Sequence, residues 1–128
     1  MDGIGRTKAT LRIFGDDLNP EEVTALLGAE PTSSREKGPP RGRRGSWHLR
    51  AEPCSPGDLN SQVKTLLSGL TDDLSVWRDL GARFRCDLFC GLFMEVGNEG
   101  EEFTPDVLAM IGARGLSLGL DIYGPDEE

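Results

Sequence analysis

Four stretches of the chain alternate apolar and polar residues with a period of two, and three repeat with a helical period. Ala9, Leu11 and Ile13 alternate with Thr10, Arg12 and Phe14, which predicts a half-buried strand over residues 9–14. Residues 46–51 predict a second, with Trp47 and Leu49 inward and His48 on the opposite face. The longest alternation covers 83–96: Phe84, Cys86, Leu88, Cys90, Leu92 and Met94 share one face. Arg83, Arg85, Asp87, Phe89, Gly91, Phe93 and Glu95 share the other, and Gly91 is the expected site of a bulge or bend. A last strand is predicted over 116–123, with Leu116, Leu118, Leu120 and Ile122 inside and Ser117, Gly119, Asp121 and Tyr123 outside.

Helices fall between these strands. Asn19 is a candidate cap, Pro20 suits a first helical position, and Glu22 completes a capping-box pattern before Val23, Leu26 and Leu27. Gly28 is the expected stop. Between residues 60 and 80, Val63, Leu66, Leu67, Leu70, Leu74 and Trp77 form one apolar stripe, with a kink or break expected near 69–73, where Gly69 weakens the helix. Thr104-Pro105-Asp106 caps a third helix carrying Val107, Leu108 and Ile111, and Gly115 stops it.

The predicted order is β-α-β-α-β-α-β. Strands with one polar face argue for an antiparallel or mixed sheet with helices on one side, since doubly wound sheets need nearly continuous apolar strands. The expected fold is α+β, a ferredoxin-like sandwich over residues 9–123, with disordered ends at 1–8 and 124–128.

A chain of 128 residues fits one domain. Its net charge of −8 argues against general nucleic-acid binding and against anionic membranes, both of which reward Lys and Arg. Cys54, Cys86 and Cys90, an odd number at irregular spacing, imply no disulfide framework. The start, MDGIGRTKAT, lacks the apolar run of a signal peptide, so cytoplasmic residence is the expectation.

Several segments taken together carry a resemblance. They are Leu11-Arg-Ile-Phe-Gly-Asp-Asp-Leu-Asn-Pro-Glu-Glu-Val23, Leu27-Gly-Ala-Glu-Pro-Thr32, Gly45-Ser46-Trp47-His48-Leu49 and Gly115-Leu-Ser-Leu-Gly-Leu-Asp-Ile-Tyr123. In this order they resemble the bacterial domain-of-unknown-function family 4279, over roughly residues 10–123. The resemblance supplies no catalytic residues that could be carried over to this chain.

Chemistry is sparse. Cys86 and Cys90 share a strand face but stand about 13 Å apart, too far to chelate one ion or to bond to each other, and read as small buried hydrophobes. His48 is the only histidine, and Cys54 has no activating neighbour in sequence. The acidic pairs Asp16-Asp17, Asp72-Asp73 and Glu101-Glu102 sit in turns, and Gly38-Pro-Pro-Arg-Gly lacks the lysine and helix of a phosphate loop. No catalytic residue, metal site or cofactor is assigned.

Two features stand out. Residues 35–44 concentrate positive charge: Arg35, Lys37, Arg41, Arg43 and Arg44 against Glu36 alone. The outward strand positions gather Arg12, Phe14, His48, Arg50, Arg85, Phe89, Phe93, Asp121 and Tyr123, the mixture of aromatic and Arg side chains found at interface cores. The expected function is a non-enzymatic interaction domain that binds a protein partner, or a second copy, through this face, with the basic loop beside it. A small-molecule or anion-binding domain, the anion at the basic loop, is the alternative. An enzyme using His48 or Cys54 is a second one.

Overall fold

Alternation at the start of the chain builds the strand at the centre of the sheet. The computed structural model describes residues 4–36, 38 and 44–125. The elements are β1 (Arg6–Gly15), α1 (Pro20–Leu27), β2 (Ser33–Arg35), β3 (Gly45–Arg50), α2 (Leu59–Ser68), α3 (Leu74–Arg83), β4 (Arg85–Phe93), α4 (Pro105–Ala113) and β5 (Ser117–Tyr123). Thr7, Ala9, Leu11 and Ile13 of β1 are all buried on one face, against the helices.

The chain is α+β, with one five-stranded mixed sheet in the order β2-β3-β1-β4-β5. Three pairings are antiparallel and the fourth, β4 with β5, is parallel. This is not a ferredoxin-like strand order, and the β-α-β-α-β-α-β succession is also corrected. An extra strand, β2, pairs Ser33, Ser34 and Arg35 with His48, Trp47 and Ser46. It is three residues long with every side chain exposed, so no hydrophobic period marks it.

The expected 60–80 helix is two helices. Gly69 closes α2, and the Thr71 N–H donates to the Leu27 carbonyl at 2.9 Å, drawing the linker onto the end of α1. Asp73 then caps α3 through the Ser75 N–H at 2.9 Å, while Trp77 Nε1–H donates to the Thr71 carbonyl. The cap of α1 is as expected: Asn19 Oδ1 accepts from the Glu21 N–H at 3.0 Å, and Gly28 ends the helix at φ 83°. Glu22 does not return to the cap but pairs with Arg83 of α3 at 2.8 Å.

All four helices lie on the β1 face that carries Leu11. Trp47 Nε1–H donates to Thr24 Oγ1 of α1 at 3.0 Å, Arg83 ties α3 to α1, and the Thr104 N–H donates to Asn60 Oδ1 at 2.8 Å, tying α4 to α2. The core between the layers contains Leu11, Ile13, Val23, Leu27, Trp47, Val63, Leu67, Trp77, Leu80 and Leu88, all essentially inaccessible. At about 1.5–3 kcal/mol for each such aliphatic side chain, this layer is the main stabilising term.

The domain begins earlier than the alternation suggests. Ile4 is buried, and Thr7 anchors a polar network. Its hydroxyl donates to Gln62 Oε1 at 2.6 Å and accepts from the Asp58 N–H at 2.9 Å. Gln62 Nε2 donates to the carbonyls of Thr7 and Glu52 at 3.1 and 2.7 Å. The strand therefore runs from Arg6, and within the expected disordered segments only residues 1–3 and 126–128 lie outside the described residues.

β5 differs from expectation in burial, not in phase. Leu116 is buried, but Leu118, Leu120 and Ile122 are 36, 49 and 56% exposed, because β5 is an edge strand that the helix layer covers only in part. Gly91 is no bulge either: β1 and β4 pair without interruption from Arg6↔Phe93 to Phe14↔Arg85. A Cβ at Gly91 would stand 3.3 Å from Phe93 Cε2, so the glycine makes room for a ring lying back on the sheet.

Candidate functional site: the open sheet face

Register fixes what the uncovered face of the sheet presents, because directly paired residues point the same way. Across β2, β3, β1, β4 and β5 it reads Ser33 and Arg35; Ser46, His48 and Arg50; Arg6, Lys8, Thr10, Arg12 and Phe14; Arg85, Asp87, Phe89, Gly91 and Phe93; Ser117, Gly119, Asp121 and Tyr123. Six cations stand against two carboxylates, +4 on a chain that sums to −8. Arg44, exposed at the edge, adds a seventh, its guanidinium 5.7 Å from the Phe14 ring. Among the described residues only Lys64, Arg78, Arg83 and Arg114 are cationic elsewhere, all on or at the ends of helices. The acidic turns at Asp16-Asp17, Asp72-Asp73 and Glu101-Glu102 lie outside the sheet strands.

One ion pair organises the middle of the face. Arg12 Nε and Nη2 donate to the two carboxylate oxygens of Asp87, each at 2.9 Å, and the carboxylate is only 8% exposed. The same guanidinium lies 4.3 Å from the Phe89 ring and 5.3 Å from Phe14. Phe89 also rests over Gly119, whose added Cβ would touch its Cδ1 at 3.6 Å. An arginine above and a glycine below thus help to half-bury the phenylalanine.

A second cluster lies at the opposite corner. Phe93 and Tyr123 stack with centroids 4.6 Å apart, and Arg6 and Lys8 approach the Phe93 ring at 4.2 and 5.4 Å. Each contact is worth about 0.5–1 kcal/mol at such exposure. The Tyr123 hydroxyl donates to Asp121 at 2.6 Å, a bond that pushes its pKa up. Arg6, Phe93 and Tyr123 line a cleft of about 730 Å³ with Glu95 and Ile122.

His48 packs its ring edge-on to Phe14 at 5.3 Å, and its Nε2 is shut off from solvent with no hydrogen-bond partner among the described residues. Burial lowers its pKa, and the neighbouring Arg12, Arg50 and Arg35 lower it further against the opposing pull of Asp87. The imidazole is therefore held neutral. Asp87 already accepts from Arg12 with both oxygens, which leaves His48 without a carboxylate of its own to orient it as a base.

The sequence-singled residues thus divide. Arg12, Arg35, Arg44, His48 and Arg85 fall on the half of the face near Phe14, Arg50 and Phe89 sit midway at the level of Thr10, and Phe93 and Tyr123 fall at the far end, about 26 Å from Phe14 along β1. Lys37, Arg41 and Arg43 lie outside the described residues. Arg6 and Lys8 were missed because their segment read as disordered. Extending the period of two back from Arg12 would have found both.

The cysteines stand apart from this face. Burial and the Asp87 charge push the thiols up to about 11 for Cys86 and about 12 for Cys90, so both stay protonated. Cys54 is half-buried, its backbone paired with Thr7. Among the described residues no three His, Cys, Asp or Glu side chains converge as metal ligands, and no helix is long and apolar enough to cross a membrane. On the helix side, Leu49, Ala51, Leu66 and Leu70 line an apolar cavity of about 520 Å³ between the end of β3 and α2.

Neither a curated protein nor a solved structure matches the chain. A family model does, over residues 5–125, which takes in every strand and helix described above. The chain belongs to the family described as Domain of unknown function (DUF4279).

Proposed function

We propose that this domain is a non-enzymatic interaction module whose open sheet face takes up an acidic segment of a partner protein. The observation that carries the reading is the segregation of charge: +4 on one face of a molecule whose total is −8. Such a face steers an anionic partner and rejects a cationic one. Aromatic rings between the cations favour a protein surface, since Phe, Tyr and Arg are the residues enriched at interface centres. The non-enzymatic part is supported by the neutral His48 among arginines and by thiols held protonated. A nucleic acid fits less well, because the acidic remainder of the molecule repels a long phosphate backbone.

Charge reversal tests it. Arg6→Glu, Lys8→Glu and Arg85→Glu together should abolish retention on an immobilised polyglutamate peptide. The control, Lys64→Glu with Arg78→Glu on the helix side, should retain it. Equal retention by both sets, or no retention of the parent protein at low salt, would refute the reading.

A further inference from the structure

We propose that the corner of the open face around His48 is an oxyanion seat, in which Arg35, Arg50 and His48 receive a carboxylate or phosphate group. This rests on the interaction reading above and names the group that anchors the partner.

The geometry follows from register. On the open face, His48 of β3 stands directly opposite Arg12 of β1 and Ser33 of β2. Arg50 lies two residues along the same strand, and Arg35, opposite Ser46, is one diagonal step away. Opposite residues have Cβ atoms about 5 Å apart and diagonal ones about 7–8 Å, within reach of long side chains. Arg35 and Arg50 therefore flank His48 from opposite directions along β3, and Arg12 stands across from it on β1.

These groups are not equally engaged. Arg12 is bound by both oxygens of Asp87. Arg35 and Arg50 make no side-chain hydrogen bond or ion pair among the described residues, and both are exposed. The charged groups facing His48 are Arg12 from β1, Arg35 from β2, Arg50 from β3 and Asp87 from β4, three cations against one anion. Two positive charges stay uncompensated beside a desolvated nitrogen that has no partner among the described residues, and leaving such a nitrogen unsatisfied is costly. An oxyanion relieves both: the two guanidinium forks bind its oxygens, and its charge favours protonation of the imidazole. The second oxygen source of that charge, Asp87, is already spent on Arg12.

Binding and protonation are then linked. Free His48 holds its proton less readily than at the ordinary 6.5, and a bound anion raises that pKa. Affinity for the anion should increase as pH falls through it.

His48 is the only histidine, so its imidazole protons give one isolated NMR signal. Inorganic phosphate and a hexaglutamate peptide would each be titrated into the intact protein. Both the His48 pKa and the β4 backbone amides would be followed. The expected result is a rise in the His48 pKa, lost in Arg35→Gln and in Arg50→Gln with Kd weakened about tenfold, the scale of one charge-assisted hydrogen bond, and partly kept in Arg50→Lys. A response to phosphate alone assigns the seat to a free or ligand-borne phosphate; a response to the peptide alone assigns it to a partner's acidic side chains. If the peptide moves the β4 amides but neither anion moves the His48 pKa, the seat is wrong and the interaction reading stands. If nothing moves, both fall.

Discussion

Removing Arg12 alone from the Arg12–Asp87 pair should cost far more than removing both partners. The pair makes two charge-assisted bonds of 2.9 Å each, between a guanidinium 26% exposed and a carboxylate 8% exposed. Arg12→Leu leaves the Asp87 carboxylate buried and unpaired. Stranding such a charge costs about 3–5 kcal/mol in a dry site, and partial exposure of this one puts the figure at about 3. Asp87→Leu is milder, about 1–2 kcal/mol, because Arg12 can turn toward water while its stem stays on Phe89. The double substitution restores an apolar contact between β1 and β4 and should lie within about 1 kcal/mol of the parent. The cycle therefore predicts a coupling of about 3–5 kcal/mol. Urea unfolding followed by Trp47 and Trp77 fluorescence, both rings being buried, gives the four free energies. A coupling under about 0.5 kcal/mol would place the pair among exposed ion pairs of little consequence and sink the argument that it organises the face.

Other consequences are as direct. An impermeant thiol reagent should modify Cys54 alone in the native protein and all three thiols in denaturant, since Cys86 and Cys90 are buried and pushed up to about 11 and about 12. Rapid native labelling of either would contradict their placement. Stability should fall as pH drops through 6.5, because the unfolded imidazole takes a proton that native His48 resists, so acid favours the unfolded chain. Thermal melts between pH 7 and 5.5 should show this slope, and His48→Gln should flatten it. Gly45→Ala should destabilise by about 1–3 kcal/mol, because the new Cβ would lie 2.5 Å from the Leu18 carbonyl oxygen, a backbone atom that cannot swing away. Thr7→Val, equal in shape, should cost about 2–4 kcal/mol by leaving Gln62 Oε1 and the Asp58 N–H unsatisfied, as read from chemical denaturation.

Strand phase was legible in the sequence and strand neighbourhood was not. The alternation of Phe84, Cys86, Leu88, Cys90 and Leu92 gives the buried face of β4 correctly, because a period of two is a local property. Leu118, Leu120 and Ile122 have the same pattern and are exposed, because burial depends on which elements lie above and β5 is at an edge. β2 escaped notice because Ser33 and Ser34 contribute backbone pairing but no apolar side chain. The ferredoxin-like expectation failed for a related reason: the number and phase of strands do not say that β4 and β5 run parallel through α4. The cap at Asn19 and the stop at Gly28 were readable because both act within a few residues.

The candidate site was legible in most of its residues, and the basic loop already pointed to an anion, but the positive sign of the whole open face was hidden by the net charge. Composition gives an acidic molecule, and an acidic molecule suggests no affinity for anions. The inference fails because charge acts through position. Arg6, Lys8 and Arg12 are all even-numbered positions of one strand, so a single pleat puts all three on the open face. Arg50 of β3 joins them because it pairs with Thr10, and Arg85 of β4 because it pairs with Phe14. Of the carboxylates, Glu21 and Glu22 sit in the first turn of α1 and Asp106 in that of α4, where they suit the positive ends of the helix dipoles, and the acidic pairs lie in turns between elements. One local rule, the strand's period of two, gathers the cations on the open face, where the paired strands place only two carboxylates, Asp87 and Asp121. Beyond a Debye length of about 8 Å at physiological ionic strength an approaching partner responds to the nearer face and little to the net charge. A net −8 therefore does not oppose a short acidic segment that docks on the sheet, and it does oppose a long polyanion that must also pass the helices.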